Sequence, residues 1–288
     1  MKQTVQRLKE ALSPLYDDRE VKAIIRLLLE EVCGLTYTQI VMYGDSPLPD
    51  EQRQKLSSMA RRLAQGIPVQ QVLGYTWFHG RKFCVNPDVL IPRPETEELI
   101  NLVVDNLSDK TVHNLMDIGT GSGCIALSLA GDIKGSFVTA VDLSTGALIT
   151  AEANAKSLGI SNIRFVQADI LKEENEDFST ELSTGQFDAI VSNPPYICIG
   201  EADEMAPNVL DHEPHLALFV PDEDPLLFYR AIAKFSLRHL CPGGGLFFEI
   251  NQLYGPQVCQ MLRVLGYRNV ECRQDFTGRN RYVLAFNN

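Results

Sequence analysis

Between Val5 and about Gln65 the apolar positions recur at three- and four-residue steps, a spacing that predicts helices throughout. Val21, Ile24, Ile25, Leu28 and Leu29 form one stripe that stops at Gly34, a residue suited to ending a helix. A short helix is expected from Thr36 or Tyr37, and a longer one follows a cap at Asp50, with Leu56, Met59, Ala60 and Leu63 on its inner face. The stripes read as the core of a small bundle or, alternatively, as a partner-binding face. At Pro68 the pattern changes. Val72, Tyr75, Trp77, Phe78 and Phe83 around Gly80 predict a β-hairpin up to Asn86, with Trp77 in core or cross-strand packing rather than serving as a stacking platform. In Val89-Leu90-Ile91-Pro92-Arg93-Pro94-Glu95 the second proline opens a helix with an acidic first turn. Arg93, between two prolines, reads as a clamp or lid, or as a plain surface arginine.

Beyond this helix, strand and helix patterns alternate to the end. Strands are expected from Val112 to Ile118, Phe137 to Val141, Ile163 to Gln167, Phe187 to Ser192 and Gly245 to Ile250. Helices are expected from Ser122 to Ala130, Ser144 to Leu158, Asp224 to Leu240 and Gln252 to Leu265, and two strand patterns close the chain. That order predicts a doubly wound α/β sheet finished by an antiparallel pair, preceded by a helical bundle that a β-hairpin joins to it.

Composition narrows the class. A chain of 288 residues, 45% hydrophobic, is long enough for a full core and two domains. A net charge of -11 and the lack of a lysine- or arginine-rich run disfavour a nucleic-acid partner, and direct DNA binding is not expected. Cys33, Cys84, Cys124, Cys198, Cys241, Cys259 and Cys272 are scattered without a CxxC pair, which suits free thiols in a reducing compartment. The amino terminus is charged and amphipathic and no apolar run reaches membrane-spanning length, so a cytoplasmic location without membrane contact is expected. The five histidines show no metal-ligand spacing beyond the His212/His215 pair, which is expected in a loop, so no metal is implied.

Two stretches carry chemistry, and both fall at carboxyl ends of predicted strands. Asp117-Ile118-Gly119-Thr120-Gly121-Ser122-Gly123 ends one strand and opens a helix, and its alternate glycines let the backbone pass close to a ligand. Asp142 closes the next strand roughly 20 residues on, where an acid can bind the ribose hydroxyls of an adenosine-containing cofactor. At this level a nicotinamide cofactor fits almost as well, although the spacing is not GxGxxG. Asp169 and Ile170 follow the third strand and either frame an adenine ring or are a capping aspartate with an apolar neighbour. The second stretch is Val191-Ser192-Asn193-Pro194-Pro195-Tyr196. Its prolines cannot extend a ladder, so the strand ends by presenting Asn193 in a turn. Read structurally this is a strand stop. Read functionally, the Asn193 side chain and the Pro194 carbonyl offer two acceptors to a planar amino group, and Tyr196 covers its face.

These stretches resemble a known family. The glycine loop with Asp142 looks like the S-adenosyl-L-methionine site of class I methyltransferases, and Asn193-Pro194-Pro195-Tyr196 like their amino-methylating signature. Together with Leu90-Ile91-Pro92-Arg93-Pro94-Glu95-Thr96-Glu97, Glu213-Pro214 with Ala217-Leu218, and Gly278-Arg279-Asn280-Arg281, they are similar to the HemK/PrmC family, whose members methylate the glutamine of the Gly-Gly-Gln motif in class 1 peptide-chain release factors. The resemblance implies a Rossmann-like methyltransferase domain over 94–288, a hairpin linker over 71–93 and a helical substrate-docking domain over 1–70. It implies cofactor contacts from Gly119, Thr120, Gly121, Ser122, Gly123, Asp142, Asp169, Ile170 and Asn193. It places substrate on Asn193, Pro194, Pro195 and Tyr196, with Asn193, Pro194 and Tyr196 catalytic and the enzyme a monomer. Three stretches depart from the family pattern: Gln71 stands where tyrosine is common, Asn251 where glycine is usual, and a polar acidic segment lies between Leu171 and Gln186. The rival expectations are a DNA adenine-amino methyltransferase, a noncatalytic release-factor or ribosome adapter, and a nicotinamide oxidoreductase.

Overall fold

The computed structural model describes residues 1–42, 47–107, 113–172, 182 and 185–288. They form two compact units, one of Met1–Tyr75 with Ala206–His212 and one of Thr76–Met205 with Glu213–Asn288. No described helix is long and apolar enough to cross a membrane.

The first unit contains α1 (Lys2–Leu12), α2 (Asp18–Cys33), α3 (Tyr37–Met42), α4 (Asp50–Leu63) and α5 (Val69–Leu73). The predicted stripes are its core: Val21, Ile24, Ile25, Leu28 and Leu29 pack with Leu8, Leu12, Leu56, Met59 and Leu63. Asp17 caps α2 by accepting from the amides of Arg19 and Glu20, and Gly34 ends it at φ 65°. Asp50 is not a cap. Pro49 holds that position without a side-chain bond, and Asp50 lies in the first turn, where its charge complements the helix dipole. Val72 belongs to this core and not to the hairpin, because Val69–Leu73 is helical up to Gly74 at φ 82°.

The second unit opens within β1 (Tyr75–Phe78), whose first residue belongs to the first unit, and β1 forms the expected hairpin with β2 (Arg81–Cys84). Phe78 and Phe83 meet inside it edge to face, with ring centroids 5.9 Å apart. Trp77 is not packed in the core: it is 67% exposed, because successive strand residues alternate faces and the ribbon covers only the face that carries Phe78. The chain continues through α6 (Glu95–Asn106), β3 (His113–Ile118), α7 (Cys124–Asp132), β4 (Ser136–Asp142), α8 (Thr145–Leu158), β5 (Ile163–Gln167), β6 (Phe187–Ser192) and β7 (Ile197–Cys198). After α9 (Pro207–His212), which belongs to the first unit, come β8 (Phe219–Val220), α10 (Leu227–His239), β9 (Leu240–Glu249), α11 (Gly255–Leu265), β10 (Arg268–Gln274) and β11 (Asn280–Phe286). Helix α7 starts two residues later than expected because Gly121 (φ 55°) and Gly123 (φ 80°) keep the loop out of helical geometry. Val112 and most of the acidic segment between Leu171 and Gln186 lie outside the described residues.

Seven strands form one sheet in the order β10-β11-β9-β6-β3-β4-β5. The five from β9 to β5 are parallel, and the last two in sequence close the edge antiparallel, as the order of patterns predicts. Period-two alternation divides the core between the two faces, with Met116, Ile190 and Phe248 on one and Leu115, Val191 and Phe247 on the other. The order reverses between β3 and β6, which opens a crevice off their carboxyl ends.

Candidate active site

That crevice holds a cleft of about 1040 Å³, counting its open mouth. The ends of β3, β4 and β6 bring Gly119, Gly121, Asp142 and Asn193 to it, with Pro194 and Pro195 following. Asp169 and Ile170 close one side. Pattern alone did not point to Asp88 and Val89, to Pro214 and Leu216, or to Phe228 and Ile232 as lining residues; they arrive from loops and a helix distant in sequence. Of the predicted residues, Thr120, Ser122, Gly123 and Tyr196 do not line the cleft. Thr120 and Ser122 are buried beneath the loop, and Gly123 caps α7.

The glycine loop turns its amides inward. Gly119 and Thr120 both donate to the Val141 carbonyl (2.8 and 3.0 Å), Gly121 to Asp142 Oδ2 (2.8 Å) and Gly123 to the Thr120 carbonyl (2.8 Å). Ala126, in the first turn of α7, donates to Asp117 Oδ2 (3.2 Å), which also accepts from Thr120 Oγ1 (2.7 Å). Little of the amide array that a pyrophosphate needs is therefore available. Among the described residues, those that line the cleft include Asp88, Asp142 and Asp169 but no lysine, arginine or histidine. This donor set disfavours a dinucleotide and suits a ligand that carries hydroxyls and a cation. Asp142 accepts from Gly121 on one oxygen and from Ser144 (2.9 Å) on the other, and each oxygen keeps a second lone pair for a hydroxyl. Asp169 does cap: its Oδ1 accepts from the Leu171 amide (3.0 Å) while the residue remains at the cleft wall.

Burial dominates the titration of this loop. It pushes the Asp117 carboxyl up to about 7, against hydrogen bonds from Thr120 and Ala126, and Asp117 Oδ1 has no partner among the described residues. It raises the Asp142 pKa, which the amides of Ser144 and Gly121 oppose. The Cys124 thiol is pushed up to about 12, first by burial and then by the Asp117 charge, so its place in the turn reflects size and not reactivity.

Behind Asn193 lies a polar cluster that pattern reading did not identify. Glu249, 1% exposed at the end of β9, accepts from Thr96 Oγ1 (2.7 Å) and from the Tyr196 hydroxyl (3.3 Å). Burial raises its pKa, while the Thr96 hydrogen bond and then the Arg281 charge oppose that rise. Burial, followed by the Glu249 charge, holds the Tyr196 phenol far above its ordinary range, so it remains a donor. Asn193 Nδ2 lies 3.4 Å from Thr96 Oγ1. Asn251 secures the tetrapeptide from below: its Nδ2 donates to the Tyr196 carbonyl (3.1 Å) and to Glu201, and its Oδ1 accepts from Leu253. Arg93 donates to the buried Glu213 carboxylate (2.6 Å), which also accepts from the Ile91 amide (3.1 Å), so the proline-flanked loop is clamped at this point.

The sheet order, and a glycine turn facing an acid across neighbouring strand ends, define an α/β methyltransferase fold. A methyltransferase from Pyrococcus furiosus superposes with a TM-score of 0.53 at 18% identity, covering 80% of this chain and 98% of that one. A T. thermophilus 16S rRNA N2 G1207 methyltransferase, solved with AdoMet and guanosine, superposes with a TM-score of 0.52 at 18% identity over 74% of this chain and 50% of that one. The PrmC N-terminal domain matches residues 1–74 and the methyltransferase small domain residues 97–212. A release factor glutamine methyltransferase of Bacteroides thetaiotaomicron is 41% identical over 96% of this chain and 97% of its own, and one of Salmonella typhimurium 36% identical over 95% of each. The chain belongs to the release factor glutamine methyltransferase family.

Proposed function

We propose that this enzyme transfers a methyl group from S-adenosyl-L-methionine to the side-chain amide nitrogen of the glutamine in the Gly-Gly-Gln motif of class 1 peptide-chain release factors. The observation that carries the reading is the asparagine-proline turn set at the mouth of an acidic cleft lined by no cationic side chain among the described residues, inside a chain of this family. Asp142 would hold the ribose hydroxyls, Ile170 and Ala168 the adenine face, and the backbone at Gly119 and Gly121 the amino-acid end. When bound, the cofactor supplies a methyl activated by its attachment to sulfonium.

An amide nitrogen is a poor nucleophile because its lone pair is shared with the carbonyl. In this reading Asn193 Oδ1 and the Pro194 carbonyl accept the two N–H groups, which orients the nitrogen and stabilises the positive charge that develops on it. Tyr196, outside the cleft lining, would hold the turn from behind through its hydroxyl on Glu249 (3.3 Å). The nitrogen–methyl bond would form as the methyl–sulfur bond breaks, so that a neutral thioether leaves and one N–H proton passes to solvent; no strong base is needed, since positioning of this kind supplies up to about 7–11 kcal/mol. The amino-terminal bundle would dock the release factor.

The test offers labelled S-adenosyl-L-methionine and the purified enzyme to release factor, to the same factor with its motif glutamine replaced, and to duplex DNA. Label on the first alone is expected. Label on DNA would overturn the assignment in favour of adenine chemistry.

A further inference from the structure

We propose that Thr96 and Glu249 are positioning residues that decide which end of the Asn193 carboxamide faces the cleft, presenting Oδ1 and not Nδ2 to the amide being methylated; this rests on the reaction read above. Glu249, when ionised, only accepts, and its two oxygens face two hydroxyls, Thr96 at 2.7 Å and Tyr196 at 3.3 Å. Each hydroxyl has one proton to give. Thr96 is 3% exposed in the first turn of α6, and its proton is spent on Glu249. With Glu249 ionised, the Thr96 oxygen meets Asn193 only as an acceptor, and the atom 3.4 Å away is Nδ2. An inverted carboxamide would set Oδ1 against the Thr96 oxygen with no proton between them, an arrangement that costs free energy in a buried site. Burial raises the Glu249 pKa, and the Thr96 hydrogen bond and then the charge of Arg281, itself bonded to the buried Asp275 at 3.1 Å, oppose that rise.

The choice matters because a carboxamide is nearly symmetrical in shape and opposite in polarity. With Oδ1 outward it accepts from a substrate N–H. With Nδ2 outward it sets one donor against another. Neither Thr96 nor Glu249 lines the cleft, so both act through Asn193 and Tyr196.

The test uses the full chain with S-adenosyl-L-methionine and a class 1 release factor. Thr96→Val is expected to lower kcat by about tenfold, the value of one orienting hydrogen bond. KM for the factor and the calorimetric Kd for S-adenosyl-L-methionine should change less than about threefold, and Thr96→Ser should restore the rate. In an Asn193→Ala background the same Thr96→Val change should alter the residual rate less than about twofold, because the residue it acts through is gone. A residue that merely supported the fold would slow both backgrounds alike, and that result overturns the proposal. Neutron diffraction from crystals grown in heavy water gives a readout without turnover: deuterons on the Asn193 atom facing Thr96 are expected, and deuterons on the cleft-facing atom refute the orientation. Failure of the wild-type enzyme to label the factor would sink the reaction assigned above, and the neutron density would still decide the orientation of Asn193.

Discussion

Asn193 and Asp117 sit at the ends of neighbouring strands, yet their environments lead to different behaviour. Asn193 is half-buried with its amide at the cleft, so its removal strips an acceptor from the reacting nitrogen and leaves the cofactor wall intact. Asn193→Ala is expected to lower kcat by ~10²–10³-fold with little change in S-adenosyl-L-methionine affinity, read by single-turnover labelling beside calorimetry. Asp117 is wholly buried, and its pKa is pushed up to about 7 from an ordinary 3.8. A raised folded-state value means that the protonated form is the one the fold prefers. The stability it contributes is complete below about pH 4 and is lost as pH rises through 7. Asp117→Asn removes that dependence, so the stability difference between wild type and variant should shift by up to ~3 kcal/mol in favour of the variant between pH 5 and pH 8, measured by denaturant unfolding.

Within the glycine loop, two residues of one type perform separate work. Gly123, at φ 80°, is crowded: a Cβ would lie 3.0 Å from Leu127 and 3.1 Å from Ala151, so a neighbour would have to give by a few tenths of an ångström. Gly123→Ala is expected to cost ~1–3 kcal/mol of stability through backbone strain and crowding, seen as a lowered Tm. Gly119, at φ 77°, meets nothing nearer than the Asn193 carbonyl oxygen at 4.0 Å, so its Cβ would project into the space between loop and tetrapeptide. Gly119→Ala should therefore weaken cofactor binding as well, by about tenfold in calorimetry, whereas Gly123→Ala should leave the Kd of the folded fraction close to wild type. The spacing of the glycines was legible because positive φ forces the residue type. The inward turn of their amides was not, because it depends on Val141 and Asp142 from the next strand.

At the scale of the whole molecule, the chain leaves the α/β unit after Met205, supplies Ala206–His212 to the helical unit and returns at Glu213. The buried Gln71 holds that excursion by donating to the His212 carbonyl (2.9 Å), and His212 Nε2 bonds the Gln65 carbonyl (3.2 Å). Gln71→Leu leaves a carbonyl without its donor at a cost of about 1–3 kcal/mol to local order, and limited proteolysis read by mass spectrometry is expected to show faster cleavage within residues 206–212.

Much of this architecture was written in local pattern. Helical stripes, period-two strands, the glycine turn and the proline-terminated strand depend on residue type and spacing, so they could be read along the chain. Core packing, one of the two places expected for Trp77, fails because alternation shows that two faces differ and does not show which one is covered. The pairing of Thr96 and Tyr196 with Glu249 went unread for a related reason: an acid closing an apolar strand is visible in Leu246-Phe247-Phe248-Glu249, but its partners lie 153 and 53 positions away in sequence. Sequence by itself determined the elements, their order and the two chemical turns, since these follow from short-range sterics and hydrophobic periodicity. The proton that each buried hydroxyl gives, the carboxylate that receives it and the loops that close the cleft were decided by the tertiary structure, because only the packed sheet brings those distant groups within hydrogen-bonding distance.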